Sequence, residues 1–285
     1  MLKVKTTSAT LGAIVTGVDL KTPLNLDEWE EIEAAFRLYS VLVFPDQFVN
    51  DAQQISFSER FGALERLITE KSDNQAIAPI ANVDSKNRVL PEGSKWDLML
   101  KGNTFWHTDS SFKRVPSKAS LLSARTLPDC GGETEWADMR AAWETLDHSL
   151  KQKVEGLVGV HDYRYSQGLV GGTEFLTEKE WEALPPVRHP AVQVHPESGR
   201  TALYIGRHIR EFEGMTMDES QDLLGNLHDH SCQPPRTFLH KWEVGDLVIW
   251  DNRCVLHRGH EWDRRQRRIM RRTTVAGDGS NEWAM

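Results

Sequence analysis

Short apolar strands separated by turn residues recur along much of this sequence and limit the folds that it can adopt. Turn signals such as PDCGGE (128–133) and EVGD (243–246) bound stretches that are rich in β-branched and other apolar residues. Strands this short, with such frequent turns, predict a β-sandwich or barrel. The predicted strands are 119–127 (ASLLSARTL), 133–139 (ETEWADM), 201–206 (TALYIG), 246–252 (DLVIWDN) and 268–277 (RIMRRTTVAG), and a buried strand is also predicted at 41–44 (VLVF).

Capping residues predict several helices, which we expect to pack outside the strands. A capping box pairs a polar N-cap side chain with Glu three positions later. The pairs that fit this pattern are Asn25 with Glu28, Thr177 with Glu180, and Thr216 with Glu219. Another helix is predicted over 50–62, capped by Asn50 and ended by Gly62. We also expect Asp138 to cap a helix over 139–157.

The charge and the cysteine count exclude some classes of protein. The chain has 34 Lys and Arg against 42 Asp and Glu, a net charge of −8, which argues against a nucleic-acid-binding protein. Its three cysteines are scattered and include no CxxC pair, so neither a disulfide framework nor a zinc-thiolate site is expected. MLKVKTTSAT carries no signal-peptide-like apolar stretch, and no segment approaches membrane-spanning length. We therefore expect a cytosolic protein with no membrane partner.

No repeat, low-complexity tract or linker divides the chain, so residues 1–285 are predicted to form one domain. The segment 64–103 shows weak periodicity and is rich in Asn, Asp, Lys and Pro. It is predicted to be a long loop, and loops of that length are usually functional.

Three residues have the chemistry of a metal site. His107 and Asp109 lie two positions apart in TFWHTDSSF, so on a strand both side chains would point to the same face. His257 lies just beyond the apolar strand DLVIW, in a predicted turn that ends at Gly259. Two histidines and one carboxylate form the facial triad of non-haem Fe(II) oxygenases. A zinc hydrolase would accept the same ligands, so the metal stays open at this point.

Two arginines near the end of the chain suggest anionic ligands. Arg268 and Arg272 are four positions apart, so on a strand their side chains share a face. The stretch around them is otherwise apolar, and a buried guanidinium requires an anion, typically a carboxylate that it holds at two points. The neighbouring arginines are expected to form a solvated basic face: Arg264, Arg265, Arg267 and Arg271.

Further residues are weaker candidates for contacts with a substrate. His208 follows the predicted strand at 201–206, and Lys71 and Arg88 lie in the predicted long loop, where they could meet an anionic substrate. Trp106 and Phe112 flank the His107–Asp109 pair and could pack against an aromatic substrate, although core packing is the commoner role of such residues.

The chain resembles the taurine/dichlorophenoxyacetate dioxygenase family of Fe(II)/α-ketoglutarate-dependent oxygenases. The motifs that carry this resemblance are GAIVTGVDL (12–20), SVLVFPDQ (40–47), FWHTDSSF (105–112), GGETEWADMRAAWETL (131–146), GDLVIWDNRCVLHRG (245–259) and RRIMRRTTVAGD (267–278). The resemblance implies a mainly β fold with flanking helices around a double-stranded β-helix, the jelly-roll core of cupin-like proteins. DMRAAW, WDNRCVLHRG and the double arginine before TT resemble the aryloxyalkanoate branch more than the taurine branch.

The resemblance also implies roles for individual residues. His107, Asp109 and His257 would be the Fe(II) ligands. Thr134 and Arg268 match the positions that hold the distal carboxylate of 2-oxoglutarate (α-ketoglutarate). The arginine that receives the anionic group of the primary substrate in the family corresponds to Arg272 here.

The implied reaction is oxidative decarboxylation of 2-oxoglutarate to succinate, coupled through dioxygen to hydroxylation of a small anionic organic acid. The acid could be an aryloxyalkanoate such as 2,4-dichlorophenoxyacetate, with ether cleavage to a phenol and glyoxylate. Taurine, another alkylsulfonate or a sulfate ester is the alternative substrate. A non-oxidative metal hydrolase or a 2-oxoglutarate-binding protein is the alternative of another class. We also expect a homo-oligomer.

Overall fold

The computed structural model describes residues 1–66 and 76–279 and is rich in short strands. The strands are β1 (Lys3–Thr6), β2 (Ala13–Thr16), β3 (Val41–Phe44), β4 (Ala78–Ala81), β5 (Ala119–Thr126), β6 (Thr134–Asp138), β7 (Val158–His161), β8 (Val187–Pro190), β9 (Val192–Val194), β10 (Thr201–Leu203), β11 (Ile209–Phe212), β12 (Thr237–His240), β13 (Leu247–Asp251), β14 (Val255–Gly259) and β15 (Ile269–Val275).

The helices are mostly short and flank the strands. They are α1 (Leu26–Tyr39), α2 (Asp51–Glu59), α3 (Lys95–Gly102), α4 (Met139–Thr145), α5 (His148–Val154), α6 (Tyr163–Gly168), α7 (Glu178–Glu182) and α8 (Met217–Ser231). In the described ranges, no helix combines the length and the apolar character that crossing a membrane requires.

The strands form one large sheet and several small ones. The large sheet has the order β1-β2-β3-β13-β5-β15-β4, and β2 and β3 form its parallel pair. A three-stranded sheet has the order β12-β6-β14, and further sheets are β11-β7-β8 and β10-β9. β15 therefore lies in the large sheet, whereas β6 and β14 lie in a second sheet. Arg272 on β15 and the predicted ligand His257 on β14 thus come from different sheets, and Arg268 lies directly before β15.

Alternating side chains bury both faces of the large sheet. In β3, Leu42 and Phe44 pack into a cluster with the α1 residues Ile32 and Phe36. Val41 and Val43 of the same strand pack on the opposite face, in a second cluster that also contains Trp136 and Trp250. This two-residue alternation follows from strand geometry. One face thus lies under helices and the other faces the smaller sheets, which confirms the predicted strand-rich fold with flanking helices.

The predicted strands and capping boxes agree closely with the structure. β3 has the predicted bounds, and β5, β6, β10, β13 and β15 lie within the predicted stretches. The capping boxes of α1, α7 and α8 are present as predicted. Asn50 caps α2 through a further capping box with Gln53, and α2 ends at Glu59, slightly before Gly62.

Two predictions about local structure are wrong. The predicted single helix after Asp138 is two helices, because Leu146 is extended and Asp147 accepts hydrogen bonds from the backbone N–H groups of Ser149 and Leu150 to start α5. The segment 64–103 is not a loop throughout, since it contains β4 and α3. β4 includes Pro79, which an edge strand tolerates, and it pairs with β15 at the edge of the large sheet.

Candidate metal centre

His107, Asp109 and His257 come together at one buried point. His257 lies on β14, and the segment of His107 lies alongside through two backbone hydrogen bonds: N–H of His107 to O of His257 (3.0 Å) and the reverse (2.8 Å). Nε2 of His107 is 4.0 Å from Oδ1 of Asp109, and Nε2 of His257 is 3.7 Å from Oδ2. The ligand atoms all lie within 4.8 Å of one another. The bridge between the two histidine segments, rather than a regular strand through His107 and Asp109, creates this arrangement.

The protonation states of these groups suit a divalent cation. Burial lowers the pKa of His107 well below its ordinary value and that of His257 to about 4, so both imidazoles are neutral near pH 7. Burial alone would raise the pKa of Asp109, but the positive charge of Arg272 and the hydrogen bond from Ser120 oppose it, and that pKa lies well below its usual range. Nδ1 of His107 lies 2.8 Å from the carbonyl of Phe105, which leaves Nε2 free to ligate if Nδ1 carries the proton.

The residues fit a metal by their chemistry. Two neutral imidazole nitrogens and one carboxylate, all buried, are the donor set of a facial triad. The same donors also suit zinc, so the three residues alone do not select between these metals.

Arg272 reaches this group of residues. Its Nη1 donates a hydrogen bond to Oδ1 of Asp109 at 2.9 Å, and its side chain is 27% exposed. Nε of Arg272 is buried and has no hydrogen-bond partner in the described part of the chain. The guanidinium therefore combines one contact with a predicted metal ligand and a buried Nε–H that remains available to an anion.

A first cavity connects the triad to Arg268. Besides His107, His257 and Arg272, it is lined by Ile80, Asn103, Leu122, Thr134, Trp250, Gly259 and Arg268. Arg268 is buried, donates from Nη2 to the carbonyl of Gly132 (2.9 Å) and packs over the ring of Trp262. Its Nε has no partner within the described ranges, and burial lowers its pKa to about 10. A buried cation with a free donor can bind a carboxylate that enters this cavity.

Thr134 offers a second donor in the first cavity. Its Oγ1 accepts a hydrogen bond from Nε1 of Trp242 at 3.0 Å. A hydroxyl that accepts this bond still has its own proton to donate. Thr134 and Arg268 can therefore both donate into the first cavity, where the resemblance implies that they hold one carboxylate.

A second cavity meets the first at the triad. It shares His107, Asn103, Ile80 and Arg272 with the first cavity and is also lined by Met99, Asp109, Ser110, Phe112, Tyr163, Gln167, Arg207 and His208. The rings of Phe112 and Tyr163 stack with centroids 4.1 Å apart, and the ring of Phe112 lies 5.1 Å from that of His208. The wall of the second cavity is thus aromatic on one side.

The second cavity contains a cation that the sequence analysis missed. Arg207 donates from Nη1 to the carbonyl of Gly102, but its Nε is buried without a partner among the residues described. Burial lowers its pKa to about 10. The available signal was its position beside His208, directly after the predicted strand 201–206; Tyr163 and Gln167 had no comparable signal.

The remaining candidates for substrate contact differ in their positions relative to the two cavities. His208 does line the second cavity, and Nδ1 of its ring lies 2.8 Å from the hydroxyl of Ser166. Arg88 is exposed, forms an ion pair with Asp84 at 2.7 Å and lines neither cavity. Lys71 lies outside the described residues. Trp106 packs under the guanidinium of Arg258, with 4.5 Å between the ring centroid and Cζ.

The predicted solvated arginine face is only partly correct. Arg265 and Arg267 are exposed as predicted. Arg264 is only 21% exposed, because its guanidinium stacks 3.7 Å from the ring centroid of Trp262 and lies near Asp97. Arg271 is 35% exposed and lies 3.7 Å from a carboxylate oxygen of Asp51.

Comparison with known proteins places this chain among relatives that match it over nearly their whole length. Its sequence is 42% identical to an (S)-phenoxypropionate/alpha-ketoglutarate-dioxygenase of Sphingobium herbicidovorans, covering 97% of this chain and 96% of the relative. It is 39% identical to an alpha-ketoglutarate-dependent 2,4-dichlorophenoxyacetate dioxygenase of Cupriavidus pinatubonensis, covering 93% and 94%. The crystal structure of AAD-2 in complex with Mn(II) and N-oxalylglycine superimposes with a TM-score of 0.92 at 38% identity and covers 100% of both chains. The model of the taurine catabolism dioxygenase TauD, TfdA family matches residues 3–274, and this chain belongs to that family.

Proposed function

We propose that this protein is an Fe(II)- and 2-oxoglutarate-dependent dioxygenase that hydroxylates a small aryloxyalkanoate. The observation that carries the proposal is the meeting of two cavities around His107, Asp109 and His257. Each cavity has an arginine with a buried, unpartnered Nε that forms no ion pair within the described ranges: Arg268 in the first and Arg207 in the second. Family membership and relatives that act on phenoxypropionate and 2,4-dichlorophenoxyacetate support the same conclusion.

The chain would hold the metal and the cosubstrate on the side of the first cavity. His107, Asp109 and His257 would ligate Fe(II), and Arg268 and Thr134 would bind the distal carboxylate of 2-oxoglutarate. The bound metal supplies the activation of dioxygen that couples decarboxylation of 2-oxoglutarate to hydroxylation of a C–H bond. The fixed donors of Arg268 and Thr134 would orient the cosubstrate, and the buried walls would exclude water.

The second cavity would hold the primary substrate. The stacked rings of Phe112 and Tyr163 offer a wall for an aryl ring, and the free Nε donors of Arg207 and Arg272 offer partners for a carboxylate. His208 adds a polar edge beside the aromatic wall. Hydroxylation of the carbon that bears the ether oxygen gives a hemiacetal, which collapses to a phenol and an oxo acid.

Several broader features are part of the same proposal. The large sheet facing smaller sheets supports a double-stranded β-helix, a jelly-roll core of the cupin-like kind. The family match over residues 3–274 supports one domain over 1–285. The three cysteines are free, which is compatible with a cytosolic location. A homo-oligomer stays a prediction.

Turnover of a substrate panel tests the function. The protein is reconstituted anaerobically with Fe(II) and 2-oxoglutarate, mixed with oxygen, and assayed for succinate and for phenol with both phenoxypropionate enantiomers, 2,4-dichlorophenoxyacetate, taurine and an alkyl sulfate. We expect one phenol per succinate with at least one aryloxyalkanoate. Succinate formation with taurine or the alkyl sulfate alone would favour the alternative substrates, and its absence throughout would favour a non-oxidative protein.

A further inference from the structure

A single buried amide connects several parts of the metal centre. Asn252 is 1% exposed and lies in the turn between β13 and β14. Its Oδ1 accepts hydrogen bonds from Nε1 of Trp250 (3.0 Å) and from the backbone N–H of Asp109 (3.3 Å). Its Nδ2 donates to the hydroxyls of Ser117 and Ser120, both at 3.0 Å. Both lone pairs of Oδ1 and both protons of Nδ2 are therefore used.

The donor and acceptor roles of these partners determine the orientation of the Asn252 side-chain amide. Trp250 Nε1 and the backbone N–H of Asp109 can only donate, so they must face the oxygen of Asn252. A flipped amide would set two donors against two donors, and the side-chain NH₂ must therefore face Ser117 and Ser120.

This orientation decides where the serine protons point. Because Nδ2 of Asn252 donates to both hydroxyls, each serine must send its own proton elsewhere. The hydroxyl of Ser120 donates to Oδ2 of Asp109 at 2.6 Å, and the hydroxyl of Ser117 donates to the backbone carbonyl of Asp109 at 2.9 Å. The side-chain amide of Asn252 therefore holds the N–H of Asp109 directly, its carboxylate through Ser120 and its carbonyl through Ser117.

The same amide also reaches the histidine side of the site. The ring of Trp250, which donates to Oδ1 of Asn252, lies with its centroid 4.7 Å from that of His257. A polar network in which every member is satisfied is rigid, and the residues behind metal ligands set the orientation of those ligands.

We propose that Asn252 is a positioning residue that directs the hydroxyl of Ser120 onto Oδ2 of Asp109 and so fixes the orientation of that carboxylate for the metal. The inference rests on the proposed function, in which Asp109 is a metal ligand. Asn252 acts through Ser120 and does not touch the metal or a substrate itself.

Metal affinity in single and double variants tests this role. Mn(II) binding is measured by competition with an indicator dye for the parent protein, Asn252→Ala, Ser120→Ala and the double variant. Removal of a residue behind a metal ligand typically weakens binding by about 10- to 100-fold, and we expect such a loss in both single variants. If Asn252 acts through Ser120, the double variant loses little more than Asn252→Ala alone.

The control is Ser123→Ala, which removes a buried hydroxyl from the same strand, β5. Ser123 donates to Oε1 of Gln54 at 2.7 Å and not to Asp109, so Mn(II) affinity should stay at the parent value. Urea unfolding of the metal-free variants is measured in parallel, because a purely structural role would lower stability without changing the affinity of the folded protein. For positioning variants, turnover should recover as Fe(II) is raised.

The outcomes separate the inference from the proposed function. Parent-like Mn(II) affinity in Asn252→Ala or in Ser120→Ala, or a double variant whose loss equals the sum of the two, would overturn the positioning role. If Asn252→Ala does not fold, Asn252→Asp keeps the volume but loses the two donors, and it should bind Mn(II) more weakly although its added negative charge alone would favour the cation. Asp109→Ala that binds Mn(II) like the parent would instead overturn the proposed triad.

Discussion

At the scale of single residues, Arg268 and Arg272 differ in their surroundings although they lie four positions apart. Arg268 is buried in the first cavity and interacts with a backbone carbonyl and the ring of Trp262. Arg272 is partly exposed, borders both cavities and contacts Asp109. These surroundings favour one anion for each arginine, the cosubstrate for Arg268 and the primary substrate for Arg272.

Replacement of Arg268 should weaken cosubstrate binding. Removing one partner of a buried charge pair costs about 2–5 kcal/mol, so Arg268→Ala should bind 2-oxoglutarate about 30- to several-thousand-fold more weakly. Anaerobic titration of the Fe(II)–2-oxoglutarate absorbance band gives the dissociation constant. The exposed neighbour Arg267→Ala is the control and should bind like the parent. An unchanged constant in Arg268→Ala would place the carboxylate site elsewhere.

Replacement of Arg272 should affect the primary substrate instead. Arg272→Ala should keep 2-oxoglutarate binding, raise the apparent KM for the organic acid and yield more succinate than hydroxylated product, because a loosely held substrate is poorly placed for the reaction. Arg272→Lys should recover only part of this loss, since an ammonium lacks the planar two-point contact. Arg271→Ala, next to it on the same strand, is the matched control. Unchanged KM and coupling in Arg272→Ala would remove Arg272 from the substrate site.

At the scale of elements, the turn between β13 and β14 is held by a buried charge network. Arg253 donates from Nε to Oδ1 of Asp251 (2.9 Å) and from Nη2 to Oδ2 (2.7 Å), and it also contacts Glu197. Nε2 of His195 lies 3.0 Å from Oδ2 of Asp251. His195, Asp251 and Cys254 have the spacing of a metal site, but the guanidinium of Arg253 already neutralises the carboxylate. The network therefore stabilises the turn that carries Asn252.

This network predicts a large loss of stability on substitution. Arg253→Ala leaves the buried carboxylate of Asp251 without its cation, which typically costs about 3–5 kcal/mol. Arg265→Ala removes an arginine that is 90% exposed and pairs with Asp263, and such a solvent-screened surface pair contributes little to stability. Urea unfolding of both variants measures the difference. Similar free energies of unfolding for Arg253→Ala and Arg265→Ala would contradict a stabilising role for the network.

Elements with strong local signals could be predicted from the sequence, whereas those that depend on tertiary pairing could not. The run VLVF gives β3 its bounds, and Asn25 with Glu28 marks the start of α1. β4 was missed because it contains Pro79 and exists through its pairing with β15. In the site, the spacing around His107 suggested a metal ligand, but Arg207 reaches the second cavity only through the fold.

At the scale of the whole molecule, several histidines are buried in neutral form. Burial lowers the pKa of His107, His161 and His208 well below the ordinary value, and that of His257 to about 4. The unfolded chain therefore binds more protons than the folded protein once the pH falls below about 6.5. Stability is fully present above that pH and falls as the pH drops toward the folded-state pKa values.

The free energy of unfolding of the metal-free protein should therefore decrease as the pH is lowered from 7.5 to 5. Each histidine that stays neutral only in the folded state contributes a slope of up to about 1.4 kcal/mol per pH unit in this range. His161→Phe removes one of these groups away from the triad and should give a shallower slope. Urea unfolding in the presence of a chelator provides the slopes, and a pH-independent free energy of unfolding in the parent protein would contradict buried neutral histidines.

The three proposed ligands provide the most direct test of the metal centre. Substrate-dependent succinate formation is measured at saturating Fe(II) for His107→Ala, Asp109→Ala and His257→Ala beside the parent protein. Each substitution removes one of three protein ligands, so turnover should be lost in all three variants while the parent forms succinate. Near-normal turnover in two of the three variants would contradict a metal centre formed by His107, Asp109 and His257.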